Sequence, residues 1–351
     1  MSIKSLCFIL FFLPLTADPQ LQSFHGIWYN MENFFHPKDA PRELIDMGWS
    51  SKKYAKKLQR IAQLLISSCP AGEPALIGLC EIGGANILED LIRKTCLQHQ
   101  GYGYSLTSGQ DARGIQVALL HKLSRFHKIG HTSYPIDMKG QRPTRDILHV
   151  WGEVCPQDTL DVLLCHFPSR AGGEQLTEWR RQQAGIRLRL LYDSLKTIRG
   201  HDFKLILMGD FNEGKEEKVL LNEVGATPWG KEIAPTHNGK LYLMPYPSGT
   251  YKYKGLWTTF DKLLVNAHLL DSSCCLSLKP ESVRPLDAPF LFKKDKTWGG
   301  VRPRRTFYGH RYERGFSDHL PLLFELRINC SPDATAVPPR PPATSRSLEA
   351  P

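Results

Sequence analysis

Leu205-Ile206-Leu207-Met208-Gly209-Asp210-Phe211-Asn212-Glu213 is the stretch whose reading decides the fold. Four apolar residues in succession predict a strand buried on both faces. Gly209 ends it where a chain can turn sharply or approach a ligand closely. Asp210 and Asn212 are two residues apart, and along an extended chain such residues point to the same side. A carboxylate and a carboxamide are therefore expected to leave the mouth of a sheet together. Stability alone does not favour that ending, because an unpaired buried carboxylate is costly. The competing reading is turn chemistry, since Gly-Asp and Asn-Glu-Gly are ordinary turn sequences. The nonapeptide by itself leaves the two readings level.

The rest of the chain repeats the pattern. A strand at 26–29 runs into Asn30-Met31-Glu32-Asn33, and one at 75–80 ends on Glu81. Another strand is expected at 115–120. Strands at 147–154 and 160–165 are expected to pair through the turn at 156–158, and the second delivers His166-Phe167-Pro168-Ser169-Arg170. A strand at 257–266 carries Asp261, and Asp318-His319 precedes the last strand, 320–326. Helices are predicted between some of these. At 50–67, Tyr54, Leu58, Ile61, Leu64 and Leu65 form one apolar stripe, and Lys52, Lys53, Lys56 and Lys57 the solvated face. A second helix covers about 86–96. A third runs from Gly172-Gly173 to about 198, with Leu176, Trp179, Ile186, Leu190 and Leu191 facing inward. Residues 225–250 are expected to be long surface loops, and 270–314 loop-rich and basic. Asn30, Glu32, Glu81, His166, Asp210, Asn212, Asp261, Asp318 and His319 thus all sit at strand ends, where layered sheet folds place ligands.

Composition is that of a globular chain. Of 351 residues, 41% are hydrophobic and 23% charged, and the length permits one large domain or two small ones. The net charge of +10 favours polyanionic partners, although its even spread would equally serve solubility. Lys4, the apolar run 6–15 and Thr16-Ala17 read as a signal peptide over 1–17, too short to span a bilayer. No later stretch is long and apolar enough for a membrane helix, so the expected location is secreted or periplasmic. Residues 330–351 read as a disordered Pro-rich tail, leaving one domain over 22–329. Eight cysteines remain after the signal; disulfides are permitted, Cys80 and Cys165 read as buried hydrophobes, and no pair has zinc-ligand spacing.

Oxygen donors without cysteine suit a hard cation, Mg²⁺ or Mn²⁺. Glu81 is the leading ligand, with Asn30 and Asp318 completing or supporting the shell. Asp318-His319 with Asp210 offers an imidazole tuned by carboxylates, His166 a second imidazole, and Arg170 a fork for phosphate. Arg113, Arg145 and Arg305 fit a phosphate contact and a surface salt bridge equally.

Seven blocks occur in order: Tyr29-Asn30-Met31-Glu32-Asn33-Phe34-Phe35, Leu79-Cys80-Glu81-Ile82, the run from Arg113 through Leu120, Cys165-His166-Phe167-Pro168-Ser169-Arg170, Met208-Gly209-Asp210-Phe211-Asn212-Glu213, the run from Phe260 through Val265, and Phe316-Ser317-Asp318-His319-Leu320-Pro321. Together they resemble the endonuclease/exonuclease/phosphatase (deoxyribonuclease I-like) superfamily over about 24–328, and most of all its exported bacterial branch with the His-x-Pro-Ser-Arg variant. The resemblance implies an α/β (α+β) fold, a four-layered α/β sandwich of two packed mixed β-sheets flanked by helices, and a Mg²⁺-dependent phosphoesterase. It implies metal-site roles for Asn30 and Glu81, and water-orienting, phosphate-binding roles for Asp210 and Asn212. Asp318 matches the Asp that pairs with the catalytic His or touches metal, and His319 matches that His. His166 matches the second His, a candidate acid, and Asp261 the Asp that supports it. Asn-Met-Glu-Asn and Phe-Asp-Lys depart from the usual blocks, which leaves the role of Glu32 open. A monomer acting on a phosphoester is expected. Nucleic acid is weighed against inositol phosphates or sphingolipids, and a non-catalytic phosphate-binding protein stands as the rival of another class.

Overall fold

The computed structural model describes residues 22–329, apart from 70–72, 110, 156–157, 201, 215 and 231–238. The expected signal peptide, the Pro-rich tail and the turn at 156–157 lie outside the described residues.

Two seven-stranded mixed sheets pack face to face. The first contains β1 (Gln22–Phe34), β2 (Leu76–Ile82), β3 (Tyr102–Leu106) and β4 (Gln116–Lys122). The second contains β5 (His127–Tyr134), β6 (Ile147–Cys155), β7 (Asp158–His166), β8 (Lys204–Asp210), β9 (Ala226–Pro228), β10 (Leu241–Leu243) and β11 (Asp261–Asn266). The chain then returns to the first sheet through β12 (Leu276–Leu278), β13 (Arg284–Pro285) and β14 (Leu322–Ile328). The strand orders are β12-β14-β1-β2-β4-β3, with β13 also on β14, and β5-β6-β7-β8-β11-β10-β9. Each sheet has a parallel pair at its heart, β1 with β2 and β7 with β8. An antiparallel strand lies beside each pair, β14 on β1 and β11 on β8. The carboxyl ends of four strands therefore meet the amino ends of two others at one edge.

Alternation assigns the faces. Phe24, Trp28, Leu76, Val162, Leu164, Ile206, Met208, Leu263 and Val265 point inward and form the core between the sheets. Ile27, Tyr29, Ile77 and Leu79 point outward under α1 (Ser51–Ser67) and α2 (Ala85–Lys94). Leu163, Leu205 and Leu207 point outward under α3 (Glu174–Arg199). Helix, sheet, sheet and helix make the four layers. Ser50 starts α1 by accepting the Lys53 N–H on its hydroxyl at 3.4 Å. Cys80 and Cys165 are buried free thiols, while Cys275 is disulfide-bonded.

Several local expectations need correction. The inward stripe of α3 is Arg181, Ala184, Leu188, Leu191 and Leu195; Leu176, Ile186 and Leu190 face solvent. A buried arginine set the phase, because Arg181 Nε donates to Glu213 Oε1 at 2.8 Å, beyond the reach of an apolar-stripe reading. Lys57 is not on the solvated face of α1. Its ammonium is 2.6 Å from Met31 O and 2.7 Å from Thr306 Oγ1, and it is buried. Residues 225–250 are not loop throughout, since β9 and β10 complete the second sheet there. Residues 270–314 supply β12, β13 and two small hairpins.

Candidate active site

The inward register of each strand continues to its end. Asn30 follows Trp28, His166 follows Leu164, Asp210 follows Met208, and Asp261 precedes Leu263 by two. These four side chains accordingly enter the slot between the sheets, and all four are buried. In register, His166 lies opposite Asp210, and Asp210 opposite Asp261.

Glu81 breaks alternation. Its place after Leu79 would aim it at the helical layer. Its φ of +58° and a register shift between Cys80 and Ile82 turn it to the site edge instead. Glu32, Asn33 and Asn212 also hold positive φ, of 49°, 46° and 50°. Left-handed backbone at a non-glycine residue costs about 1 kcal/mol or more, and such strain clusters at functional sites. At Asn212 the left-handed turn overrides the expected alternation. Its backbone N–H donates to Asp210 Oδ1 at 3.0 Å, and its carboxamide donates to Phe167 O at 3.1 Å.

One amide joins the acidic groups. Asn30 Nδ2 donates to Asp210 Oδ2 at 3.0 Å and to Glu81 Oε1 at 3.3 Å. Glu81 Oε2 accepts the Asn33 N–H at 2.7 Å. Two imidazoles face the same carboxylate oxygen. His166 Nε2 and His319 Nε2 each lie 3.7 Å from Asp210 Oδ2, and His166 Nε2 also lies 3.9 Å from Glu81 Oε1.

Asp261 is the correction with the largest chemical consequence. It was assigned to His166, but its Oδ2 lies 2.7 Å from His319 Nδ1. A carboxylate only accepts, so Nδ1 carries the proton and Nε2 is left facing Asp210. The other oxygen, Asp261 Oδ1, accepts the Trp28 indole N–H at 2.8 Å across the two sheets. Tyr251 lies against the His319 ring, tilted by 35° with the centroids 4.8 Å apart.

The surroundings drive the titratable groups apart. Burial works against charge on His319, but Asp261, Asp210 and Asp318 outweigh it and push its pKa up to about 10. Burial pushes His166 well below 6.5, and the Arg145, Arg113 and His319 charges push the same way. These influences all favour the neutral form of His166. Burial, reinforced by Asp261, raises Asp210 to about 7 against the pull of His319 and the Asn30 amide.

The remaining expected residues are placed as follows. Asp318 is bound by Arg305, whose Nε is 3.3 Å from Glu32 Oε1, so Arg305 is neutralised by two carboxylates and Glu32 has a structural partner. Arg170 Nε donates to Asn212 O at 2.7 Å, and Arg170 NH1 pairs with Glu174 at 2.7 Å. Arg113 is partly exposed, 3.7 Å from Asp111. Arg145 is buried, shares Asp111 and binds Phe167 O. Sequence reasoning missed Trp28 and Tyr251 altogether. An indole inside an apolar strand carries no signal of a polar partner in the opposite sheet.

Known proteins place this geometry. A profile of the Endonuclease/Exonuclease/phosphatase family matches residues 27–328. No curated protein sequence matches significantly. Among solved structures, the human Nocturnin catalytic domain with bound sulfate is 14% identical with a TM-score of 0.53, covering 88% of this chain and 97% of that one. A mannosyl-6-phosphatase of Bacteroides thetaiotaomicron is 16% identical with a TM-score of 0.51, covering 86% and 99%. D. rerio TDP2 complexed with single-strand DNA product is 14% identical with a TM-score of 0.52, covering 87% and 98%. At these identities the likeness is one of fold.

Proposed function

Because this chain belongs to the endonuclease/exonuclease/phosphatase family, and is thereby a metal-dependent phosphoester hydrolase, we propose that it is an exported, Mg²⁺- or Mn²⁺-dependent phosphodiesterase that cuts nucleic acid. The observation that carries the hydrolytic reading is the Glu81–Asn30–Asp210 cluster facing two imidazole nitrogens. Charge supports the polyanionic substrate, with 45 Lys and Arg against 35 Asp and Glu. Export is supported by the signal-like residues 1–17 and by a disulfide at Cys275, a bond of oxidising compartments. Among the described residues no helix is long and apolar enough to cross a membrane.

The carboxylates fit a hard cation: Glu81 and Asp210 present oxygen and Glu81 keeps partial access to solvent, whereas Asn30 turns its amide N–H to both and its Oδ1 accepts the Glu32 N–H at 2.9 Å, so it supports the ligands rather than acting as one. When bound there, the ion would supply positive charge against that developing on the phosphoryl oxygens. The chain's own groups do the rest. Asp210 orients the attacking water and accepts its proton. Asp261 and Trp28 fix the His319 ring, so its charged Nε2–H donates to a phosphoryl oxygen beside Asp210. His166 stays uncharged and offers Nε2 without adding repulsion or protonating Glu81.

The test is hydrolysis of plasmid and single-stranded DNA with Mg²⁺ and with EDTA, run beside inositol-phosphate and sphingomyelin assays. Cleavage of DNA that EDTA stops, and that Glu81→Gln lowers about 10³-fold, is the expected outcome. Full activity of Glu81→Gln would sink the site. Hydrolysis of only the inositol or sphingolipid substrates would sink the nucleic-acid assignment.

A further inference from the structure

A cavity of about 210 Å³ lies on the far side of Tyr251 from His319 and has no part in the chemistry above. Its walls are two hairpins. One pairs Tyr251–Tyr253 with Leu256–Thr258 through a two-residue turn, Lys254 and Gly255, at φ of +45° and +86°. The other pairs Phe292–Lys294 with Val301–Pro303. Lys252 locks them together, donating to Asp295 Oδ2 at 2.9 Å and to Gly299 O at 2.7 Å. Asp295 Oδ1 accepts the Trp298 N–H at 3.0 Å, which fixes the position of that residue. Gly255 is required here, because a Cβ would come within 3.3 Å of Trp298 Cβ besides straining the turn.

The lining is aromatic and cationic. Tyr253 and Trp298 are 57% and 53% exposed, large rings left open to solvent at the cavity wall. Arg302 stacks on Tyr308 at 4.1 Å and is anchored by Glu313 at 2.8 Å. Of the four lining cations, Lys252 pairs with Asp295, Arg302 with Glu313, and Arg305 with Asp318 and Glu32, which leaves Lys254, over the Tyr253 ring, as the one without a carboxylate among the described residues. Tyr251 forms the inner end, and its other neighbours are the rings of His319 and of Phe260, the latter stacked at 5.2 Å. One ring therefore separates the cavity from the proposed reaction centre.

We infer that this cavity is a subsite for one unpaired nucleobase adjoining the scissile phosphate, so that the substrate is a single strand or a frayed end rather than intact duplex. The inference rests on the nucleic-acid reading and deepens it. Exposed aromatic faces take any base by stacking, and Lys254 at the turn meets a flanking phosphate. The volume is enough for one ring system, and a base inside an intact helix has both faces already covered by its neighbours, so it must leave the stack to lie on these rings. The lock between the hairpins makes the subsite preformed, so little ordering cost falls on binding.

The experiment compares a short single-stranded oligonucleotide with an abasic strand of the same length and charge. Binding is read in EDTA by fluorescence of the whole protein, and cleavage is read in Mg²⁺. The intact strand should bind about tenfold more tightly than the abasic one. Tyr253→Ala combined with Trp298→Ala should erase that ratio and leave abasic binding unchanged, and Trp298→Phe should retain most of it. Both residues are half-exposed, and an unchanged melting temperature verifies the fold. Equal binding and cleavage of the two strands by the unaltered protein would overturn the subsite while leaving the nuclease reading intact. Cleavage of neither strand, with an inositol phosphate or sphingomyelin hydrolysed instead, would overturn both.

Discussion

His319 and His166 approach the same oxygen, Asp210 Oδ2, at the same 3.7 Å, and their surroundings drive them to opposite charge states. The His319 side of the slot is acidic. Asp261 holds Nδ1, and the indole of Trp28 holds Asp261 in turn. The His166 side is basic, with Arg145 and Arg113 nearby and no partner for Nδ1 among the described residues. Residue type and distance are equal, so the difference comes from what stands behind each ring. One carboxylate thus has a charged donor on one side and an uncharged one on the other.

The comparison breaks most readily by removing each ring. His319→Ala should lower kcat about 10⁴-fold and His166→Ala about 10²-fold, the two ends of the range for a positioned acid–base group. Equal losses, measured on one substrate at one pH, would show that the two sides are interchangeable. Asp261→Asn comes next, with a loss of about 10²-fold in kcat. Without that carboxylate His319 releases its proton below its present pKa of about 10, so the alkaline limb of the pH–rate profile should move to lower pH. An unmoved limb would place the charge on some other group. Trp28→Phe keeps an aromatic side chain but deletes the pyrrole half of the indole with its N–H. It should lower melting stability by about 1 kcal/mol and kcat about tenfold. A third imidazole sharpens the contrast away from the site. His121 is 2% exposed with both ring nitrogens lacking a hydrogen-bond partner among the described residues, and burial, aided by Lys128, lowers its pKa to about 4. The folded state favours the neutral form, so its contribution is complete above pH 6.5 and fades as pH falls toward 4. The loss should reach about 3 kcal/mol, and His121→Gln should flatten that slope in melting temperature against pH without changing activity at pH 7.

Much of this was legible in the chain itself, for a physical reason. Strands buried on both faces are uninterrupted apolar runs, so Leu205 to Met208 and Leu76 to Cys80 announce themselves, and the polar residue at each end stands out. Asn30, Glu81, His166, Asp210, Asp261 and His319 do assemble at one edge. What was illegible depended on partners far apart in sequence. The phase of α3 follows from Arg181 meeting Glu213, and the burial of Lys57 from carbonyl oxygens of β1 and the hydroxyl of Thr306. The pairing of Asp261 with His319 rather than His166 is set by which strands neighbour each other across the slot, and no local spacing encodes it. Glu81 reaches the edge only through a left-handed residue that defeats simple alternation. The short strands β9 and β10 carry too few residues for any periodicity to register.

The indole–carboxylate bond between the sheets carries a consequence for biosynthesis. Among the described strands, Trp28 belongs to the first, Asp261 to a late one, and His319 stands just before the last. A nascent chain that has already folded Glu81 and Asp210 into place still lacks its charged donor. Hydrolytic competence therefore waits until the chain has been made through His319. Truncated or stalled copies that stop short of His319 are thereby left without the charged donor of a phosphoester hydrolase.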